Sequence, residues 1–205
     1  MTEPSPYRQR LETRMADITE RLVAAEGLSS VQARRVAQEA DCSVGTLYNV
    51  FGGLDGLVIA VNTRTIDALG EALDAASRAA ASSGLEQRLI ALALAYRDFA
   101  FRQNNRWRAL FDHRMESGKS VPDEYRMKQE ALFTLVEGGL TDHIADAAER
   151  FTAARALFSA VHGILWLALD GKLGGLGPEE TERQIRFIVS AVARGLLGAG
   201  RSRGR

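Results

Sequence analysis

The sequence predicts an all-α protein. Apolar residues recur every three or four positions along most of the chain, as they do on one face of an amphipathic helix. No segment alternates apolar and polar residues in the way that is typical of strands, and no internal repeat is visible. Stretches rich in glycine, serine and proline, such as SGKSVP at 117–122 and GKLGGLGP at 171–178, separate the periodic segments.

Three short helices are expected first. The first ends at Gly27, and its apolar stripe consists of Leu11, Met15, Ile18 and Leu22. Ser29 followed by Gln32 predicts a capping box that opens a second helix. Ser43 is a candidate N-cap of a third helix, which Gly52-Gly53 ends because glycine adopts the left-handed conformation at low cost.

Seven more helices are predicted, of which those at 107–116, 123–138 and 140–149 are shorter. Their predicted bounds are 54–80, 85–104, 107–116, 123–138, 140–149, 150–171 and 178–198. The basic tail at 201–205 is expected to be disordered. A division after residue 56 would leave a small N-terminal domain at 1–56 and a larger one at 57–200.

The composition favours a soluble cytoplasmic protein. Lys+Arg and Asp+Glu both number 26, so the formal net charge is zero and there is no global polybasic signal. The single cysteine, Cys42, excludes an internal disulfide. Charges interrupt residues 1–25, which predicts that no signal peptide is present, and no apolar run reaches membrane-spanning length.

The stretch EADCSVGTLYNVFGGLDGL at 39–57 has the pattern of a helix–turn–helix. Ala40 permits close helix approach, and Asp41 suits the turn because aspartate tolerates positive φ. Hydroxyl and amide side chains of the next helix could bond phosphate oxygens or base edges. The residues predicted to face DNA are Ser43, Val44, Gly45, Thr46, Tyr48 and Asn49. A packed corner inside a helical bundle would fit the same spacing.

RVAQEADCSVGTLYNVFGGLDGL at 35–57 is similar to the signature of the tetracycline-repressor (TetR) family of transcriptional regulators, and the resemblance extends over about residues 9–60. LFSAVHGILWLAL at 157–169 resembles the motif of that family's WHG-type C-terminal domain, with Phe158 in place of the usual Trp. The resemblance implies that residues 1–56 bind DNA and that residues 57–200 bind an effector and dimerise. The family commonly places a lysine where this chain has Leu54.

The charge of the N-terminal region raises the question of what holds DNA phosphates. Residues 1–56 contain six basic and eight acidic side chains, a net charge of −2. Arg34 and Arg35, early in the second helix, are the predicted phosphate contacts, supported by backbone N–H groups at helix starts. The arginines at 8, 10 and 14 are interpreted as a solvated helix face.

The family resemblance implies a pocket in the larger domain that binds a small-molecule effector. We expect both the pocket and the effector to be partly apolar. Its predicted lining is Tyr96, Trp107, Phe111, His113, Phe133 and His162. A plain core between helices would also account for these aromatic residues.

The helices at 150–171 and 178–198 are expected to form a homodimer interface across a two-fold axis. The residues judged too apolar to face water are Leu157, Val161, Leu165, Leu169, Ile185, Ile188, Val192 and Leu196. A two-fold dimer would match a palindromic operator in double-stranded DNA.

No phosphate-binding loop, zinc-protease or nucleophile-elbow motif occurs, so we expect neither an enzyme nor a bound metal or cofactor. No basic amphipathic helix supports a role at a membrane surface. The resemblance implies a repressor that a small-molecule effector releases from its operator. The alternative is a helical small-molecule-binding or adaptor protein with little DNA affinity.

Overall fold

The computed structural model describes residues 5–171 and 176–202, with side chains as far as residue 196. Within these ranges the regular structure is entirely helical, which confirms the predicted all-α class. The α-helices of the described residues are α1 (Pro6–Glu26), α2 (Ala33–Glu39), α3 (Val44–Phe51), α4 (Leu54–Ala79), α5 (Leu85–Arg102), α6 (Asn104–Asp112), α7 (Asp123–Leu140), α8 (Ala147–Leu169) and α9 (Pro178–Ser202). A short 3-10 helix, Leu28–Ser30, connects α1 to α2.

The predicted capping box at the start of α2 is wrong. Gln32 is the N-cap of α2, and no side chain bonds the free N–H groups there. The Ser30 hydroxyl instead donates to the carbonyl of Gly27 at 2.7 Å, inside the 3-10 turn. Serine forms such local bonds readily, and here they close the turn rather than open the helix.

Two later segments also differ from the prediction. The separate helix predicted at 140–149 does not form: α7 runs on to Leu140, a turn follows it, and α8 begins at Ala147. Asp146 then caps α8 by accepting the N–H of Glu149 at 3.0 Å. The tail was predicted to be disordered from residue 201, but α9 continues to Ser202, and residues 203–205 lie outside the described residues.

The chain divides into two compact units. The first contains the chain up to Ala68 together with Gln103–Lys128. Its core joins α1, α2 and α3 to the start of α4, and Met15, Val36 and Leu47 are fully buried there. The division at residue 56 stays a prediction.

Helix α6, although distant in sequence, is part of this first unit. Ala109 belongs to the same core cluster, and its carbonyl accepts a hydrogen bond from the Asn62 side chain at 3.0 Å. The Asn105 side chain donates to the carbonyl of Ala24 at 3.0 Å, at the end of α1. Apolar packing and two amide hydrogen bonds therefore hold α6 to the N-terminal helices.

The second unit contains Leu69–Arg102 and the chain from Gln129 onward. Helix α5 packs against α8 and α9, and α8 packs against α9. Four residues expected at a subunit interface, Leu157, Val161, Leu165 and Ile185, are buried inside this single-chain core. Their apolar character therefore needs no partner subunit, which corrects the interpretation drawn from the sequence.

By length and composition alone, α8 could cross a membrane, as could α3 and α4 if they were counted as one bent span; the other described helices could not. The apolar face of α8 carries Ala154, Leu157, Val161 and Leu165, which are buried in the second unit. Burial in the core of the second unit accounts for these four residues, while only 22% of the most apolar part of α8 is buried.

Candidate nucleic-acid interface

The turn between α2 and α3 has the expected geometry. Asp41 has a φ of 56° and is the only described residue other than glycine with positive φ. Two backbone bonds close the turn, from Asp41 N–H to Gln38 O at 3.2 Å and from Cys42 N–H to Ala37 O at 2.9 Å. Aspartate tolerates this conformation better than most residues, so the turn forms without the more usual glycine.

Ser43 caps α3, as the sequence predicts. Its hydroxyl oxygen accepts the N–H of Thr46 at 3.0 Å and lies 2.8 Å from the Thr46 hydroxyl. Gly52, with a φ of 72°, ends the helix in the left-handed conformation. The cap leaves the serine hydroxyl at the helix N-terminus, where an anion such as a phosphate binds favourably.

The six residues of α3 and its cap that were predicted to contact DNA lie away from the core, which Leu47 enters from the opposite side. Ser43, Gly45, Tyr48 and Asn49 are exposed, and Val44 and Thr46 are half-buried. The outer face of α3 thus offers hydroxyls, an amide and a glycine that allows close approach, and it carries no charged side chain.

Arg34 and Arg35 have different surroundings. Arg34 is exposed and forms no hydrogen bond or ion pair with any described residue. Arg35 makes a fork with both Glu26 oxygens, at 2.8 and 2.6 Å, and also bonds Glu39 at 3.3 Å. The hydrogen bond to Glu26 is the main cause of a raised Arg35 pKa. Arg34 is therefore the better placed of the two to contact a phosphate.

Arg8 was interpreted from the sequence as part of a solvated helix face, but it reaches α3. Its guanidinium donates to the carbonyl of Asn49 at 3.1 Å. Arg8 precedes Leu11 by three residues, so it lies on the same side of α1 as the apolar stripe. That spacing is the sequence signal that could have placed Arg8 beside α3. Arg14 of α1 likewise contacts a neighbouring helix: its guanidinium donates to the carbonyl of Glu39, at the end of α2, at 3.3 Å.

Three of the six predicted effector-lining residues lie in the first unit. Trp107 is fully buried, and its ring meets that of Phe111 edge to face at 5.4 Å. His113 Nε2 is 3.5 Å from Asp55 Oδ1, and burial lowers the pKa of this histidine while Asp55 opposes the shift. His113 therefore faces a carboxylate of the N-terminal unit.

The other three, Tyr96, Phe133 and His162, share a cluster in the second unit. The Tyr96 hydroxyl and His162 Nδ1 are 2.9 Å apart. The Phe158 ring links the cluster, lying 5.3 Å from the His162 ring in a stacked arrangement and 5.2 Å from the Phe133 ring. Burial lowers the pKa of His162, which favours a neutral imidazole. The cluster combines aromatic surface with a hydrogen-bonded polar pair.

The outer surface of α8 and α9 is apolar in one place. Phe187 is 73% exposed, the largest exposure of any described large apolar side chain. An open groove of about 610 Å³ runs beside it, with Ala160, Ile164 and Ile188 in its walls. Of the residues expected at an interface, Ile188 and Val192 are half-buried on this helix pair.

Two family models match the chain. Residues 16–61 match the model of bacterial regulatory proteins of the tetR family, and residues 89–192, just over half of the chain, match that of a tetracyclin repressor-like C-terminal domain. No curated protein is similar enough to the chain to count as a match.

Solved structures of bacterial proteins share the fold. A protein of unknown function from Rhodococcus sp. RHA1 has a TM-score of 0.74 at 22% identity, covering 90% of this chain and 94% of its own. A transcriptional regulator from the same organism has a TM-score of 0.67 at 20% identity, with coverages of 90% and 96%. A TetR-family transcriptional regulator from Streptomyces coelicolor has a TM-score of 0.66 at 19% identity, with coverages of 91% and 99%.

The family models extend over the capped α3, the turn at Asp41 and most of the C-terminal helices, and they agree with the geometry found there. The chain belongs to the TetR family of bacterial regulatory proteins and is a DNA-binding transcriptional regulator with a helix–turn–helix.

Proposed function

We propose that the protein is a repressor that a small-molecule effector releases from its operator. The observation that carries the proposal is the outer face of α3, which presents Ser43, Thr46, Tyr48 and Asn49 away from the core. Hydroxyl and amide groups in this position suit contacts to phosphates and base edges in the major groove. The protein would act in the bacterial cytoplasm, where its operator lies.

Selection of fragments from genomic DNA by the full-length protein tests the DNA-binding step. We expect enrichment of a palindromic site, because two copies related by a two-fold axis would present two α3 helices about one helical turn apart. A double variant, Thr46→Ala with Tyr48→Ala, should abolish the enrichment. Absence of any enriched site at low salt would favour the alternative, a helical adaptor protein with little DNA affinity.

The proposed effector region is the second-unit cluster of Tyr96, Phe133 and His162, with aromatic surface for an apolar ligand body and a Tyr–His pair to orient a polar group. Trp107, Phe111 and His113 remain candidates in the first unit. A library of small aromatic molecules, screened for release of the selected operator, would test this step. Tyr96→Phe should weaken release by a true effector, and operator affinity without effector should be unchanged.

We further propose that α8 and α9 mediate homodimerisation through their outer surface. Phe187 and the groove beside it supply exposed apolar area, unlike the residues that the single-chain core already buries. Association of two copies at this surface would shield Phe187 from water. A charged side chain at position 187 should therefore oppose dimerisation.

A further inference from the structure

A loop from outside the N-terminal helices is anchored beside the end of α3. This loop, residues 113–122, joins α6 to α7 within the first unit. Asp55 in the first turn of α4 accepts the backbone N–H of Glu116 at 3.1 Å. Since α3 ends at Phe51 and α4 begins at Leu54, this bond places the middle of the loop close to the exit of α3.

The anchored loop positions a lysine. Lys119 Nζ is 2.7 Å from Glu116 Oε2 and 3.9 Å from Asp55 Oδ2, and its side chain is 46% exposed. The hydrogen bond to Glu116 is the largest cause of a raised Lys119 pKa, and the charges of Glu116 and Asp55 add smaller contributions. The ammonium group therefore lies beside the first turn of α4, which follows α3 in the chain.

Tyr48 lies on the same edge of α3. Its ring covers the turn to α4, because a Cβ added at Gly53 would lie 3.7 Å from the ring carbon Cε1. The side chain is half exposed, and its hydroxyl bonds no other group among the described residues. The Tyr48 ring and the Lys119 ammonium group thus each lie beside the turn from α3 to α4, the first against Gly53 and the second near Asp55, and both are open to solvent.

The surrounding carboxylates leave Lys119 available. The Asp55 side chain is only 14% exposed, and its oxygens face the Glu116 N–H and the His113 ring. Glu116 is 72% exposed, and such exposed ion pairs are weak and easily exchanged. Among the cations of the N-terminal helices, Arg35 pairs with Glu26 and Arg21 with Glu39, whereas Arg34 forms no ion pair with any described residue.

We infer that Lys119 contacts a DNA phosphate beside Tyr48 and exchanges Glu116 for that phosphate on binding. The loop between α6 and α7 then forms part of the DNA-binding surface, together with α3. This inference rests on the DNA-binding function proposed above. It adds a cation from outside residues 1–56, whose own net charge is −2.

The test compares full-length wild type, Lys119→Gln and Lys128→Gln for binding to a mixed-sequence DNA duplex over a range of NaCl concentrations. Lys128 is the matched control because Lys128→Gln removes the same charge. Its Nζ is held by Asp67 at 2.6 Å, and Asp67 lies about 18 Å along α4 from Asp55.

We expect Lys119→Gln to weaken binding roughly three- to tenfold. The slope of log K against log salt should fall in magnitude by about 0.9, the change expected when the protein neutralises one phosphate fewer. Lys119→Arg should retain both the affinity and the slope. Lys128→Gln should match the wild type.

Equal reductions of affinity in the two glutamine variants would overturn the inference, because net charge alone would then explain them. An unchanged affinity and slope in Lys119→Gln would overturn it as well, while leaving the proposed function intact. Wild-type protein that binds neither this duplex nor genomic fragments would instead overturn the proposed function itself, and the Lys119 contact with it.

Discussion

Single residues determine how α3 is presented. Asp41 turns the chain in the left-handed conformation, Ser43 caps the helix, and Gly52 ends it. Each position uses an intrinsic property of its residue type, namely tolerance of positive φ or a short side chain with an acceptor oxygen. The exposed face of α3 is consequently free of any role in the core, which Leu47 occupies.

At this scale we predict that the capping and DNA-binding roles of Ser43 can be separated. Ser43→Ala should lower the free energy of unfolding by about 1 kcal/mol because the Thr46 N–H loses its side-chain acceptor and keeps only the Ser43 carbonyl. Ser43→Asp should retain this stability, since aspartate also caps, yet it should weaken DNA binding through repulsion of phosphates. Urea unfolding and DNA titrations of both variants provide the measurements.

An equal loss of stability in the two variants would contradict the capping role. An unchanged DNA affinity in Ser43→Asp would show that the N-terminus of α3 does not approach phosphates.

Among the elements, α1, α4 and α6 are joined by an ionic network in the first unit. Glu20 of α1 bonds Arg64 of α4 at 3.0 Å and Arg106 of α6 at 2.9 Å. Asp17 adds a bond to Arg64 at 2.7 Å. Because Arg106 is only 14% exposed, its pair with Glu20 is better shielded from solvent than most surface ion pairs. The network fixes how α6 lies on the N-terminal helices.

We predict that Glu20→Gln destabilises the protein by about 1–2 kcal/mol, because two guanidinium groups lose their shared carboxylate. The loss should shrink at high salt, where ion pairs are screened. Glu12→Gln on the same helix is the control, since Glu12 is exposed and forms no ion pair with any described residue. Thermal unfolding at two salt concentrations would measure the difference, and equal effects of the two variants would argue against the network.

For the whole molecule, the first prediction concerns homodimerisation through the outer surface of α8 and α9. Phe187→Glu should convert a homodimer to monomers, since it places a charge in the exposed apolar surface of α8 and α9, and we expect the dimer Kd to rise by more than about tenfold. Sedimentation at several protein concentrations would measure this change. The control is Met127→Glu, which adds the same charge to another exposed apolar position, 66% exposed, in the first unit.

A monomeric wild type, or dimers of unchanged affinity in Phe187→Glu, would refute this assignment of the interface. Loss of dimers in both variants would attribute the effect to charge rather than to the position of Phe187.

The pH dependence of stability is a second property of the whole molecule. Burial lowers the pKa of His162 below its ordinary value of 6.5, so the unfolded chain binds a proton more readily than the folded one. Stability is therefore fully present above the unfolded-state pKa and is lost as the pH falls from about 6.5. One such histidine contributes a slope of at most about 1.4 kcal/mol per pH unit.

We predict that His162→Asn flattens this dependence, whereas His143→Asn, at an exposed position, leaves it unchanged. Urea unfolding between about pH 5 and pH 7.5, a window set by the ordinary histidine pKa, would check it. Glu182 affects stability at lower pH. Its pKa is lowered by hydrogen bonds from Arg186 and then Arg97, so the stability that this carboxylate contributes is lost only as the pH falls below about 4.5. If His162→Asn leaves the pH dependence of stability unchanged, another histidine must cause it, and half-buried His113 is the next candidate because burial lowers its pKa too.

The amino-acid sequence by itself determined the helical class, most helix positions and the shape of the turn around Asp41. These features depend on local periodicity and on the conformational preferences of single residues, both of which are visible in a linear chain. The outward position of Tyr48 and Asn49 followed from the same periodicity.

Only the tertiary structure decided which distant residues meet. It placed α6 with the N-terminal helices, paired Arg35 with Glu26 and brought Arg8 to Asn49. It also showed that Leu157 and Leu165 are core residues, because an apolar helix face looks the same in sequence whether it packs within a chain or between chains. Such pairings depend on contacts between residues far apart in the chain, which no local pattern records.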